Sequence, residues 1–112
     1  MRVLAVDIGG TKLAAGMVDA SGALSHRQQR PTPRGADGDA LFAALTDLVD
    51  RVLAAGGEVD VCGVGSGGPM TPAGETVSPL NIPAWRGFPL RGRLGDHLGV
   101  AVHVDNDAKA LA

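Results

Sequence analysis

The apolar positions of this chain fall into short runs near its start. Residues 2–7 form an apolar run that stops at a glycine pair, which predicts a buried strand. A second run, Leu13–Asp19, ends in small turn residues, and a third, more polar run, Ala23–Arg30, ends at Pro31 and Pro33. Three consecutive strands joined by tight turns predict an antiparallel meander.

After the third run, the spacing of the apolar residues becomes that of a helix. Between Asp39 and Ala55 the apolar residues recur every three or four positions, which predicts an amphipathic helix capped by Asp37 or Asp39. The rest of the pattern predicts a strand, a helix, a strand and the opening of another helix: Val59–Val64, Leu90–Gly99, Val100–Val104 and Ala108–Ala112.

The predicted order is therefore β-β-β-α-β-α-β-α, an α/β fold with a mixed sheet. Helical crossovers link the later strands, so these strands are expected to be parallel. In such sheets ligands bind beyond the carboxyl ends of the strands. The segments Asp7–Lys12, Gly65–Pro69 and Asp105–Asp107 each follow a predicted strand and are expected to meet at that edge.

Length and composition narrow the class of protein. The 112 residues suffice for one domain, and ten Lys and Arg against twelve Asp and Glu leave no concentrated positive face for nucleic acid. The single cysteine, Cys62, cannot form an internal disulfide and is expected to be a small buried hydrophobe. An apolar strand follows Met1 without a charged leader or a long apolar run. These features predict a cytoplasmic protein without membrane association.

The segment after the first strand has the chemistry of a phosphate-binding turn. Gly9 and Gly10 let backbone N–H groups approach an anion, and Asp7 at the strand end is placed to hold Mg²⁺. Thr11 adds a hydroxyl and Lys12 a positive charge. A plain hairpin turn is the alternative for the glycine pair. A Walker A loop is excluded, because its spacing is absent and the segment leads into a strand.

A second glycine-rich segment, Gly63–Gly68, fits the Gly-x-Gly-x-x-Gly pattern of dinucleotide-binding proteins. Pro69 and Pro72 interrupt it where the pyrophosphate-binding helix should begin, and Glu75 comes too early for the ribose-binding carboxylate. The pattern therefore indicates only a glycine pair at a strand end, whose backbone groups can meet a polar ligand.

The triplet Asp105-Asn106-Asp107 closes the fifth predicted strand. A carboxylate there can accept a proton from a substrate hydroxyl, and the neighbouring amide can hydrogen-bond another hydroxyl, as sugar recognition requires. The alternative is an Asx cap of the following helix, for which Asn and Asp are preferred. Different members of the triplet can fill both roles.

Four segments in the same order resemble those of the ROK family of sugar kinases and repressors, within the actin-like ATPase superfamily. They are Leu4–Lys12, Gly63–Pro69, Ser78–Trp85 and Val104–Ala108. The resemblance implies a ribonuclease H-like α/β domain. It covers nearly the whole chain, and four ordered segments are more specific than any one of them.

The resemblance also implies roles on the sugar side of the site. Asp107 resembles the catalytic base that takes the proton from the sugar hydroxyl, and Asn106 resembles a sugar-binding amide. Asn81 and the backbone at Gly68 resemble further sugar contacts.

On the phosphate side, Asp7, Gly9, Gly10 and Thr11 resemble the family's cradle for Mg²⁺ and the phosphates of ATP, with Asp7 nearest the metal. Lys12 matches the family's usual residue and belongs to this cofactor-binding set without a catalytic share.

The implied activity is ATP-dependent phosphorylation of a hexose at its 6-hydroxyl, as in a glucokinase. Residues 1–112 would form an incomplete N-terminal domain, with the C-terminal lobe and its zinc site absent and the isolated fragment inactive. Homo-oligomerisation of the full-length form is left open. The alternatives are a sugar-responsive ROK-type regulator and a non-catalytic sugar-binding fragment. The kinase-like strand begins at residue 2 and leaves no room for a helix-turn-helix, which favours the enzyme.

Overall fold

The described part of the chain forms one mixed sheet of five strands with two helices packed against it. The computed structural model describes residues 1–35, 37–66 and 88–105. In chain order the elements are β1 (Val3–Ile8), β2 (Lys12–Val18), β3 (Leu24–Pro31), α1 (Gly38–Gly56), β4 (Val61–Ser66), α2 (Leu90–Leu98) and β5 (Ala101–Asp105).

The sheet order is β3-β2-β1-β4-β5. The pairs β1–β2 and β2–β3 are antiparallel, so the predicted meander is confirmed. The pairs β1–β4 and β4–β5 are parallel, as the helical crossovers predicted. The eighth predicted element, the helix opening at Ala108, lies outside the described residues.

Helix α1 begins at a side-chain cap and ends at glycine. The Asp37 carboxylate accepts a hydrogen bond from the amide of Ala40 at 2.7 Å, so Asp37 rather than Asp39 is the cap. Gly57 ends the helix at φ 92°, a conformation that costs glycine little. Between these ends the apolar stripe is buried against the sheet, as its period predicted. The stripe consists of Leu41, Phe42, Ala44, Leu45, Leu48, Val49 and Val52.

Strand alternation gives the sheet two distinct faces. On β1 the core residues Leu4, Val6 and Ile8 alternate with Val3, Ala5 and Asp7. The first set packs in one apolar cluster with α1 and α2, in which Leu90 and Leu94 of α2 are fully buried. Helices α1 and α2 therefore pack on one face, and the Asp7 side chain belongs to the other, where Ala5 is also fully buried.

An arginine fixes α2 against α1. The Arg93 guanidinium donates to the Asp39 carboxylate at 2.6 Å, and its central carbon lies 4.5 Å from the centroid of the Phe42 ring and 5.1 Å from that of Phe88. Cation–π contacts of this kind add to an exposed ion pair that is weak alone. Because α1 and α2 both begin near the carboxyl ends of the parallel strands, this contact fixes the helices at the end of the sheet where ligands are expected.

Cys62 lies in the core, as predicted, with no exposed surface. Burial raises the pKa of its thiol to about 12. Cys62 therefore remains protonated and unreactive at neutral pH. Within the described ranges, none of the helices is long and apolar enough to cross a membrane.

The amino edge of the sheet is held by Arg2. Its guanidinium donates to the carbonyls of Gly56 and Glu58, the latter at 3.0 Å, and its backbone amide donates to the Asp60 carboxylate at 2.7 Å. A positive charge at the carboxyl end of a helix also interacts favourably with the negative end of the helix dipole. Arg2 therefore joins the start of β1 to the end of α1.

We expect Arg2→Ala to lower the free energy of unfolding by about 1.5–3 kcal/mol, the range for hydrogen bonds that involve a charged group. Urea denaturation followed by circular dichroism measures the change. Arg27→Ala is the matched control, because Arg27 is exposed and bonds only to the Gln29 side chain among the described residues. An equal loss in both variants would contradict the role given to Arg2.

Candidate active site

The turn between β1 and β2 is tight, and its first position favours a glycine. The amide of Gly9 donates to the carbonyl of Lys12 at 3.0 Å. A Cβ on residue 9 would lie 3.1 Å from that same carbonyl oxygen, which is closer than most such contacts, so the backbone would have to shift by a few tenths of an ångström. Glycine at residue 9 thus relieves a close contact and does not supply a positive φ, which neither Gly9 nor Gly10 adopts.

The turn contains two backbone amides that lie outside the ladder of the sheet. In the part of the chain that the structure describes, the amides of Gly10 and Thr11 donate to no backbone acceptor. Thr11 and Lys12 are exposed, and Gly10 is half-exposed. Backbone amides of successive residues beside a positive charge can form an anion-binding concavity. The turn is a tight hairpin connection between antiparallel strands, and its role in holding a phosphate stays a prediction.

Asp7 stands at the carboxyl end of β1, next to this turn. It is half-buried and, among the described residues, its carboxylate makes no hydrogen bond or ion pair. A single carboxylate with room for water is the kind of ligand that Mg²⁺ accepts alongside substrate phosphates. The described ranges contain no group of three His, Cys, Asp or Glu that could form a metal cage. The carboxylate of Asp7 therefore suits a Mg²⁺ ion that keeps several water ligands.

The register of the parallel strands brings the ends of β1, β4 and β5 together. Asp7 pairs with Gly65, and Gly65 pairs with Asp105. With strands about 4.8 Å apart, the Cα atoms of Asp7 and Asp105 are about 10 Å from each other. The predicted meeting of these three strand ends is thus confirmed as far as residue 66 on β4 and residue 105 on β5.

The alternation of side chains along the strands places Lys12 on the same face of the sheet as Asp7. Leu13 pairs with Ile8 and packs in the core, so Lys12 and Ala14 belong to the opposite face, where Ala14 pairs with Asp7. Asp105 shares this face through its register with Gly65. One positive and two negative side chains therefore lie on one side of the sheet, around the glycine at the end of β4.

A residue that the sequence did not single out contacts this turn. Thr32 follows β3 and is 7% exposed. Its hydroxyl donates to the carbonyl of Gly9 at 2.7 Å, and its amide donates to the carbonyl of Thr11 at 2.9 Å. In the sequence, Thr32 is marked only by its position between Pro31 and Pro33, and this position does not indicate which distant residues it contacts.

Four of the residues assigned by resemblance fall outside the described residues. They are Gly68, Asn81, Asn106 and Asp107. Their roles therefore stay predictions, as does the choice between a base and an Asx cap for the triplet that begins at Asp105. The five residues on the phosphate side are brought together in one turn: Asp7, Gly9, Gly10, Thr11 and Lys12.

Comparison with known proteins finds relatives that are sugar kinases. It is 41% identical over 109 residues to an N-acetyl-D-glucosamine kinase of Citrobacter koseri, covering 95% of the chain and 35% of that relative. It is 36% identical to an N-acetylmannosamine kinase of Salmonella newport, covering all of the chain and 38% of that relative. The chain thus spans little more than a third of the length of these relatives.

Among solved structures, a ROK family glucokinase from Streptomyces griseus in complex with glucose and AMPPNP superimposes with a TM-score of 0.83. The identity is 32%, and the match covers 95% of this chain and 33% of that one. The expected actin-like ATPase fold is therefore confirmed. The profile of the ROK family matches residues 3–112, so this chain is a member of the ROK family.

Proposed function

We propose that this chain is the N-terminal portion of an ATP-dependent sugar kinase, and that residues 1–112 supply its phosphate turn, sugar contacts and catalytic base. The observation that carries the proposal is the register of Asp7, Gly65 and Asp105. It supports a common cleft in which the phosphate turn and the segment after β5 face the same substrates. A phosphoryl donor and a hydroxyl acceptor have to meet in such a cleft.

The proposed acceptor is the 6-hydroxyl of a hexose, as in a glucokinase. The relatives bear the names of N-acetylglucosamine and N-acetylmannosamine kinases, and the solved neighbour holds glucose, so the acceptor class includes N-acetylated hexosamines. These sugars share the primary hydroxyl and differ at other ring positions.

The proposed reaction transfers the γ-phosphoryl group of ATP to that hydroxyl. Asp107 accepts the hydroxyl proton while the sugar oxygen bonds to the γ-phosphorus, and the bond to the ADP oxygen breaks. The amides of Gly10 and Thr11 and the Lys12 ammonium group counter the negative charge of the phosphates. Asp7 would hold Mg²⁺, which when bound neutralises charge on the phosphate oxygens.

The test is ADP release by the full-length protein with Mg-ATP and a panel of glucose, mannose, fructose, N-acetylglucosamine and N-acetylmannosamine. We expect sugar-dependent ADP release with at least one hexose, and mass spectrometry of the product should show one added phosphoryl group. Removal of Mg²⁺ with EDTA should abolish turnover.

Calorimetric titration of the same sugars separates the alternatives. Sugar binding without ADP release would favour a sugar-responsive regulator or a non-catalytic binding fragment. Absence of both binding and turnover across the panel would overturn the proposed function.

A further inference from the structure

The two contacts of Thr32 reach two carbonyls of the same turn. Its hydroxyl holds the carbonyl of Gly9 at 2.7 Å, and its amide holds the carbonyl of Thr11 at 2.9 Å. Thr32 is 23 residues from Gly9 along the chain and is 7% exposed, so this is a long-range and largely buried contact. The strand pairing of β2 with β3 does not require the hydroxyl bond, because a side chain makes it.

Because of peptide geometry, these contacts also fix the orientation of backbone amides in the turn. A trans peptide is planar, and its C=O and N–H groups point in opposite directions. When Thr32 holds the Gly9 carbonyl, the Gly10 amide in the same peptide must point away from Thr32. When it holds the Thr11 carbonyl, the peptide that carries the Lys12 amide is fixed in the same way.

The flexibility of Gly10 makes a fixed contact in this turn necessary. Glycine has the widest range of backbone conformations, so a glycine pair left alone would sample many orientations of its amides. The glycines therefore let the backbone approach an anion closely, but they also leave the orientation of its amides poorly fixed. A fixed contact at Gly9 restores order where neither glycine has a side chain to supply it.

The chain fixes Thr32 itself through its neighbours. Pro31 has a restricted φ and pairs with Lys12 at the end of the edge strand β3. Pro33 disfavours the helical region for the residue before it and keeps Thr32 extended. The two prolines therefore limit the entropy that Thr32 would lose when it contacts the turn.

We propose that Thr32 is a positioning residue of the phosphate turn, which aims the Gly10 amide at a phosphate group of ATP through its hydrogen bonds to Gly9 and Thr11. The inference rests on the proposed function for the identity of the nucleotide. It assigns no chemistry to Thr32, which acts through the backbone of the turn.

The test compares Thr32→Val with Thr32→Ser in the full-length protein. Valine keeps the shape and removes the hydroxyl, whereas serine keeps the hydroxyl. We expect Thr32→Val to raise both the Kd of Mg-ATP, measured by calorimetry, and its KM by about tenfold, the effect of one well-placed hydrogen bond. Thr32→Ser should stay within about twofold of wild type, and the KM of the sugar should not change in either variant.

Thr46→Val is the matched control. The Thr46 hydroxyl also donates to a backbone carbonyl, that of Ala43 at 3.0 Å, but on the exposed side of α1. This variant should bind Mg-ATP as wild type does. If Thr32→Val does not fold, Thr32→Ala removes the same hydroxyl without a new methyl group and is measured in the same way.

Each result bears on the proposal. A lower Tm in Thr32→Val with an unchanged Kd for Mg-ATP would make Thr32 merely structural and would overturn it, as would a Thr32→Ser variant as weak as Thr32→Val. If the wild type binds Mg-ATP but phosphorylates no sugar, the proposed function fails and the binding data still decide the role of Thr32. A wild type that does not bind Mg-ATP would overturn both.

Discussion

Asp107→Asn in the full-length enzyme is expected to lower kcat for sugar phosphorylation by about 10²–10⁴-fold, the usual share of a general base. Asparagine keeps the size and can still hydrogen-bond the sugar, but it cannot accept the proton. The KM of the sugar should therefore change only a few-fold. Steady-state ADP release at saturating Mg-ATP gives both constants.

The register of the sheet is the structural reason to expect this effect at residue 107. Strand β5 ends at Asp105, which is in register with Gly65 and, through it, with Asp7. The chain therefore leaves the sheet beside the phosphate turn, two residues before the proposed base. Asp96→Asn is the control, because Asp96 is exposed on α2 and makes no ion pair among the described residues. A kcat within twofold of wild type for Asp107→Asn would show that Asp107 is not the base.

Asp7→Asn should lower kcat/KM for Mg-ATP by about 10²–10³-fold, as the loss of a group that stabilises transferring charge does in other enzymes. The amide is a poorer ligand than the carboxylate for a hard divalent cation. The Mg²⁺ concentration that gives half-maximal activity should therefore rise. A titration with Mg²⁺ at fixed ATP measures the shift.

Glu58→Gln is the control for Asp7→Asn. Glu58 is exposed near the end of α1, at the amino edge of the sheet, and among the described residues its side chain makes no hydrogen bond or ion pair, while its carbonyl accepts from Arg2. Removing this charge changes the net charge of the protein by the same amount without touching the turn. If both variants respond equally, the effect at Asp7 is one of overall charge and the metal assignment is wrong.

Local patterns were enough to predict the elements of the fold that the structure describes, whereas the phosphate role of the turn between β1 and β2 stays a prediction. The strand runs, the stripe of α1 and the crossover argument each depend on nearby residues, and the structure confirms them. The cap of α1 was left open between Asp37 and Asp39, because both precede the stripe at suitable spacing. Only the hydrogen bond from Ala40 to Asp37 decides between them.

Long-range contacts were the part that the sequence could not provide. Arg2 meets Glu58 across 56 residues and Thr32 meets Gly9 across 23, and no periodicity encodes either pairing. On the sugar side, the evidence was resemblance rather than pattern, since the stretch between β4 and α2 has little period. Asn81 and Gly68 therefore stay predictions.

The alternation along β1 has a consequence for how such a kinase can diversify. Leu4, Val6 and Ile8 pack against the helices, whereas Asp7 faces the side where substrates are expected. Substitutions at alternate positions of this strand thus affect different surroundings, the core on one face and the ligand side on the other. Their effects on the free energy of unfolding should add when the side chains share no partner. Selection for altered ligand binding at Asp7 and selection for heat resistance in the core can then proceed in the same lineage without obstructing each other.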